Sequence, residues 1–334
     1  MIGVALMLMG ACAATAARRS SPPVAVAVGA EAICQATATE LRCVGPRGLE
    51  AHGAAEVFGA ADTTFRLIRG GGGRLCALAT TGQVACAHGA EWRAVPDLRG
   101  VTEVVAGGDL VCGRLATEDR WRCITFGDAP PECPELEIAR SGLHAGDLLV
   151  LGPEFTCVGL GRRVSCWGRA EHGILGPSIA TCGHVEFDLG SHVRALAASA
   201  RHVCAQTDDG VWCWGDDASG QVCDPAASEP FGLVSRPCHL LSTAVSRVVV
   251  GGSSVMVLGA LPGGEVGQML EGEVHLMIGM HGPCTELYGD SSGTFCAVCT
   301  GDLVCWGRDP SAPEARTESG ALGFLGRAPW RVGF

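Results

Sequence analysis

The sequence predicts an all-β chain folded as a seven-bladed β-propeller. Three observations carry that expectation. Seven hairpin-like units recur at a similar interval, six of them carry a cysteine pair at a narrow spacing, and no segment keeps a capped helical hydrophobic period. The clearest unit runs from Arg201 to Gly215. Alternating apolar residues flank the turn-type Asp208-Asp209-Gly210, so it reads as a strand, a tight turn and a returning strand. With Asp208 and Asp209 as the loop, Cys204 faces Cys213 directly, at the Cα separation of about 4.5–5.5 Å that a disulfide spans.

The other units, in chain order, occupy 33–43, 70–86, 107–123, 155–168, 251–266 and 293–307. Cys34 pairs with Cys43, Cys157 with Cys166 and Cys296 with Cys305, each nine residues on, as in the clearest unit. Cys76 and Cys86 are ten apart, an extra residue that a three-residue loop with Gly82 at its left-handed position absorbs. Cys112 and Cys123 are eleven apart, with a longer loop at 116–119. The sixth unit has Met256 where the first cysteine would stand. Measured from Cys34, Cys76, Cys112, Cys157, Cys204, Met256 and Cys296, the steps are 42, 36, 45, 47, 52 and 40 residues. An array of strands at that period is the signature of propeller blades. Further strand-like pieces at 101–105, 193–197 and 245–250 each precede a hairpin. The tail, 329–334, reads as a strand that would pair with 24–28 and hide two sheet edges.

Composition narrows the function. The chain is 47% hydrophobic and 18% charged, enough apolar material for a core. Its net charge is −11, and its basic residues are arginines scattered among more numerous acids. Nucleic acid and charge-driven binding to anionic lipid are therefore excluded as expectations. Of the 19 cysteines only Cys296-Ala-Val-Cys299 has a metal-ligand spacing, with no second pair beside it, so no metal or cofactor is expected. Disulfides in an oxidising compartment fit better, because 2–10 is apolar and 11–17 is rich in small residues. The expected organisation is an export segment at 1–17, a linker at 18–23 and the propeller at 24–334. Cys12 resembles the lipidated cysteine of a lipobox, with ordinary signal cleavage nearby as the rival. No later run approaches the roughly 18 apolar residues of a membrane span.

A Gly-rich entry, His202-Val-Cys204-Ala205, then Asp209-Gly210-Val211-Trp-Cys213-Trp214-Gly215 and Gly220-Gln221 resemble the regulator-of-chromosome-condensation repeat. Partial copies are Cys166-Trp167-Gly168 with Gly173-Ile-Leu-Gly176, and Cys305-Trp306-Gly307. The resemblance spans about 24–334 and implies the same seven-bladed ring; the sixth unit departs most. The family includes a nuclear nucleotide-exchange factor, whose activity conflicts with export and an acidic surface. It also includes exported bacterial propellers that bind proteins.

Beyond the six hairpin pairs, Cys223–Cys238 is the next bridge expected. Cys133, Cys182, Cys284 and Cys299 are left with their connectivity open, Cys133–Cys182 and Cys284–Cys299 being one assignment. The glycines at 70–73 precede a strand and lack a following Lys-Ser/Thr, so they are read as structural and not as a phosphate cradle. Trp167, Trp214 and Trp306 are read as wedges between blades, and His202, His88, His172 and His239 as structural or exposed. The expected function is non-catalytic binding of a protein or cell-surface ligand by an exported, monomeric propeller, secreted or held at the cell envelope. Candidate ligand contacts are the charged residues in loops after each Trp-Gly: Arg169, Glu171 and His172, Asp216 and Asp217, Arg308 and Asp309. The alternatives are a lyase or hydrolase with its site over the central channel, and a purely structural envelope protein.

Overall fold

The computed structural model describes residues 25–307 and 330–332, apart from 47, 72–73, 89–90, 109, 126–141, 145, 170, 177–181, 219, 224–232, 261–262, 271–272, 278–281 and 291–292. The expected segments 1–17 and 18–23, with Cys12, lie outside the described residues, as do Cys133, Arg308 and Asp309.

Seven antiparallel sheets follow one another along the chain, and within each the consecutive strands are neighbours. Blade 1 is β1 (Ala25–Val28), β2 (Ile33–Ala36), β3 (Glu40–Gly45) and β4 (Gly48–Gly53); blade 2 is β5 (Phe65–Gly71), β6 (Arg74–Ala79), β7 (Val84–His88) and β8 (Glu91–Ala94). Blade 3 shows three strands among the described residues, β9 (Val101–Gly107), β10 (Leu110–Leu115) and β11 (Trp121–Thr125). Blade 4 is β12 (Leu148–Leu151), β13 (Phe155–Leu160), β14 (Arg163–Arg169) and β15 (Cys182–Asp188), and blade 5 is β16 (Val193–Ala198), β17 (His202–Thr207), β18 (Val211–Asp216) and β19 (Leu233–Leu241). Blade 6 is β20 (Arg247–Gly251), β21 (Ser254–Leu258), β22 (Val266–Leu270) and β23 (Glu273–Leu276). Blade 7 is β24 (Cys284–Gly289), β25 (Thr294–Cys299), β26 (Asp302–Gly307) and β27 (Trp330–Arg331). One short helix, α1 (Ala54–Phe58), and a single helical turn at Glu171–Gly173 are the helical pieces described, and no described helix is long and apolar enough to cross a membrane.

The first strand of each blade packs on the first strand of the next. β1 meets β5, then β9, β12, β16, β20 and β24 follow in turn, and β24 returns to β1. These seven strands form the inner wall of the ring. The expected pieces at 101–105, 193–197 and 245–250 are among them, as β9, β16 and β20.

Each expected hairpin is the second and third strand of a blade. Cys204 stands opposite Cys213 as the turn spacing requires, and Cys43 stands opposite Cys34, Cys166 opposite Cys157 and Cys305 opposite Cys296. The two wider spacings reach the same geometry through longer turns. In blade 2 Gly82 takes the expected left-handed backbone, φ 80°, and Cys86 comes to face Cys76. In blade 3 the turn after Leu115 absorbs the extra residues, and Cys123 faces Cys112. All six pairs, Cys76–Cys86 and Cys112–Cys123 included, are bonded, with Cα atoms 4.0–4.1 Å apart. That is closer than the separation of about 4.5–5.5 Å expected for a directly opposed pair. Two more bridges lie elsewhere in their blades: Cys223–Cys238 ties a loop to the outer strand β19, and Cys284–Cys299 ties the inner strand β24 to β25. Cys182 is also disulfide-bonded. In blade 6 the corresponding facing pair is Met256 and Gln268.

Ring closure differs from the expectation. The tail strand β27 pairs with β26, placing Trp330 opposite Cys305, while β1 pairs only with β2 inside blade 1. The reason lies in the outer edge of β26, whose free backbone groups would stand unpaired without it. Closure is made by side chains instead. Val28 and Ile33 of blade 1 are buried against Cys296 and Cys305 of blade 7, with Tyr288, Leu303 and Val332 packed around them. Burying an aliphatic side chain of this size contributes about 1.5–3 kcal/mol.

The core lies between blades. Trp214 is fully buried, meets Phe187 of blade 4 edge-on at 5.5 Å, and donates its indole N–H to the Ile174 carbonyl at 3.1 Å. Trp306 is buried with Met256 and Val266 of blade 6. Both are wedges, as expected. Trp167 is half-buried, packs on the blade 3 and 4 cluster and stacks on His184 at 4.9 Å.

Candidate functional site

The register of the first strands defines layers in the central channel. The residue facing the leading cysteine of the hairpin is Ala27, Arg69, Val105, Val150, Ala197 and Tyr288, with Val249 facing Met256 in blade 6. Residues two apart on a strand share a face. One layer toward the strand starts therefore holds Ala25, Leu67, Glu103, Leu148, Ala195, Arg247 and Glu286. Intervening side chains such as Ile68, Val104, Val248 and Leu287 are buried between blades, which leaves these two layers, the buried Ala27 apart, to the lumen.

One step beyond the middle layer the same position is Gly29, Gly71, Gly107, Gly152 and Gly251, with Ser199 in blade 5 and Asp290 in blade 7. Here neighbouring inner strands touch backbone to backbone. A β-carbon on Gly71 would lie 2.2 Å from the Ala106 carbonyl oxygen, and one on Gly251 2.1 Å from that of Asp290. The Gly-rich entries are thus the seams where blades meet, and Gly70, which would clash with the Val28 carbonyl oxygen at 1.8 Å, belongs to the same seam.

Polar groups gather on one side of the lumen. Arg69 of blade 2 lies within electrostatic reach of Glu103 of blade 3, Arg247 of blade 6, and Glu286 and Tyr288 of blade 7. Glu103 pairs with Arg114 at 3.4 Å and Glu286 with Arg247 at 3.3 Å. The lumen walls, by desolvation, and then Arg247 hold the Arg69 guanidinium below its ordinary value, against the opposite pull of Glu103, Tyr288 and Glu286. It stays protonated all the same. Burial, then Glu286, push the Tyr288 phenol up, so it is a hydrogen-bond donor at neutral pH. In these two layers blades 1, 4 and 5 have only Ala25, Leu148, Val150, Ala195 and Ala197, with Ala27 buried in the core between blades 1 and 2. Among the described residues no group of three His, Cys, Asp or Glu could hold a metal ion.

The loops after Trp-Gly join third to fourth strands, so they stand at the glycine end of the ring, away from the layer holding Glu103, Arg247 and Glu286. Asp216 and Asp217 are not displayed there. They are 3% and 4% exposed. Asp216 pairs with Arg201 and accepts the Ala218 N–H at 2.9 Å, while Asp217 accepts the Val222 N–H at 2.7 Å. Gln221 donates to the Asp216 carbonyl at 2.6 Å, so the acids and Gln221 build the turn from within. In blade 4 the equivalent loop folds over blade 5, with Ile174 and Leu175 buried at its tip. His172 has a left-handed backbone, φ 65°, and Arg169 pairs with Glu154 at 3.6 Å. Of the charged residues expected to contact ligand, the structure brings Arg169, Glu171 and His172 onto one blade-4 loop.

His202 is buried in blade 5, its Nδ1 3.1 Å from the Ser199 hydroxyl, and burial lowers its pKa from 6.5 to about 4. It is structural, as expected. His239 stacks on Trp212 at 4.6 Å. A hollow of about 270 Å³ between blades 1 and 2 is lined by Leu75, Trp92, His52 and the Cys34–Cys43 bridge.

Sequence reasoning missed the lumen residues. A usable signal existed: the residue seven places before the leading hairpin position is small or aliphatic in six blades, but it is Arg69 in blade 2. Tyr288 stands eight places before Cys296, because blade 7 has a longer first turn.

Residues 193–221 match the regulator of chromosome condensation (RCC1) repeat. That stretch holds β16, β17, β18 and the buried Asp216-Asp217 turn. No curated protein matches the chain. Among solved structures, Prp20p from Saccharomyces cerevisiae aligns over 92% of this chain and 76% of its own, at TM-score 0.52 and 13% identity. The ectodomain of the receptor kinase CR4 from Physcomitrella patens aligns over 85% of this chain and 72% of its own, at TM-score 0.51 and 17% identity. At these identities the likeness is one of fold.

Proposed function

We propose that this seven-bladed propeller, whose residues 193–221 match the RCC1 repeat, is a protein-binding ring working in an oxidising compartment outside the cytoplasm. The observation that carries the reading is the state of the channel. A catalytic lumen would call for free carboxylates, imidazoles or metal ligands converging from several blades. Here the two lumen glutamates are each neutralised by an arginine, Glu103 by Arg114 and Glu286 by Arg247, which suits a polar binding surface. Prp20p, whose fold is shared, binds Gsp1p and histones, which supports a protein as the class of partner. Eight described disulfides support the compartment, since such bridges persist where thiols are not kept reduced. An export segment at 1–17 would deliver the chain there, and the blade-4 loop, where Arg169 and His172 are half-buried, is the docking face we favour.

The test is retention on the immobilised, oxidised protein from secreted and envelope fractions of the source cell. One protein held saturably, and released by Arg169→Glu with His172→Glu, supports the reading. Retention of nothing, or chemical turnover of a component of those fractions, overturns it.

A further inference from the structure

We propose that the central channel binds a carboxylate, gripped by Arg69 and the hydroxyl of Tyr288. The inference goes beyond protein docking and holds whether or not a partner caps the ring. Arg69 and Tyr288 are the polar members of a middle layer that is otherwise Ala27, Val105, Val150, Ala197 and Val249. Arg69 has no ion pair among the described residues, in a chain whose net charge is −11, and its described hydrogen bond is a 3.4 Å contact to the adjacent Ile68 carbonyl. The carboxylates that could have taken it are held by Arg114 and Arg247. A guanidinium carries five donors in a planar fork, so most of its capacity faces the lumen unused. Tyr288 adds a protonated hydroxyl with no hydrogen-bond partner among the described residues, half-buried on the neighbouring side of the same layer.

The surroundings choose among anions. Glu103 and Glu286 stand one layer away and would repel a dianion such as phosphate, whereas a single planar negative charge matches the fork in two parallel hydrogen bonds. The aliphatic remainder of the layer suits a short apolar body behind that charge. Entry is from the strand-start side, because the glycine seam brings the inner strands together at the other end. The group could come from a small free acid or from the carboxyl terminus of a polypeptide; the chemistry is the same.

Tyr288 is the only tyrosine in the chain, so protein labelled with ring-¹³C tyrosine reports from the lumen alone. Butyrate should shift that resonance saturably, while butyramide, the uncharged analogue, should bind at least about tenfold more weakly. Arg69→Met should abolish the butyrate shift, and Arg69→Lys, which keeps the charge and loses the fork, should weaken it. A short valine-ended peptide with a free terminus, compared with its amide, assigns the source: tighter binding than butyrate points to a polypeptide terminus, weaker binding to a free acid. A wild-type resonance that neither carboxylate moves, or a shift that butyramide reproduces equally, overturns the proposal irrespective of how the variants fold.

Discussion

In blade 5 Cys204 and Cys213 face each other and are bonded, whereas in blade 6 the corresponding residues are Met256 and Gln268. Both pairs are almost wholly buried. Blade 5 surrounds its bridge with a polar network, in which the Ser199 hydroxyl accepts the Arg201 and His202 N–H groups at 3.1 Å, while His202 Nε2 has no partner. Blade 6 buries Gln268 with one 3.4 Å bond to Ser254, and its Oε1 has no partner. Yet both form four-stranded sheets in one ring. The difference teaches that strand register and the seams between blades set the sheet, and that the covalent bridge only braces it.

The largest effect should come at the seam position, where blade 6 has Gly251 and blade 5 has Ser199. Gly251→Ala drives a β-carbon into the Asp290 carbonyl, a backbone group that cannot step aside. A loss of roughly 3 kcal/mol or more is expected in denaturant unfolding, against about 1–2 kcal/mol for Ser199→Ala, which removes hydrogen bonds only. Equal losses would break the contrast.

Next comes the pH response of blade 5. His202 has a folded pKa of about 4 against 6.5 unfolded, so the unfolded chain takes up the proton first as pH falls. Its contribution is complete above pH 6.5 and declines toward pH 4, by about 3 kcal/mol in all. His202→Gln should flatten that part of the stability profile, whatever its effect at neutral pH.

A bridge placed in blade 6 should act as the natural ones do. Met256→Cys with Gln268→Cys should add up to about 2–3 kcal/mol under oxidising conditions, a gain that reductant removes. It also deletes the unsatisfied Gln268 carbonyl, so the reduced double variant should not fall far below the parent. The smallest effect is expected from Arg169→Ala, whose partner Glu154 is half-exposed; such pairs contribute about 0–1 kcal/mol, so melting should barely move.

Much of this ring was legible in the sequence because hairpin register is local. A turn of fixed length sets which residues face each other, and the cysteine spacing then fixes six blades. Even the wider intervals before Cys86 and Cys123 were readable, since a longer turn shifts the facing position by a countable number of residues. The misreadings arose where local pattern and distant packing part company. Asp216 and Asp217 sit in a loop and carry charge, which reads as exposure, but the loop folds over them and spends them on its own N–H groups. The closing strand was misplaced because a two-residue strand carries no register signal, and only the open edge of β26 decides where it lies. The lumen site draws Arg69, Glu103, Arg247, Glu286 and Tyr288 from four blades, and no short-range pattern ties those positions together.

Because β27 returns to its own sheet, no strand among the described residues is shared between the first and last blades. Every described sheet is therefore encoded without interruption, and a gene could gain or lose one by a single in-frame duplication or deletion. The same property leaves the contact of Val28 and Ile33 with Cys296 and Cys305 as a zipper of side chains, with no strand pairing across it among the described residues. Under tension between the two ends of the chain, the circle would part there first, with all seven sheets intact.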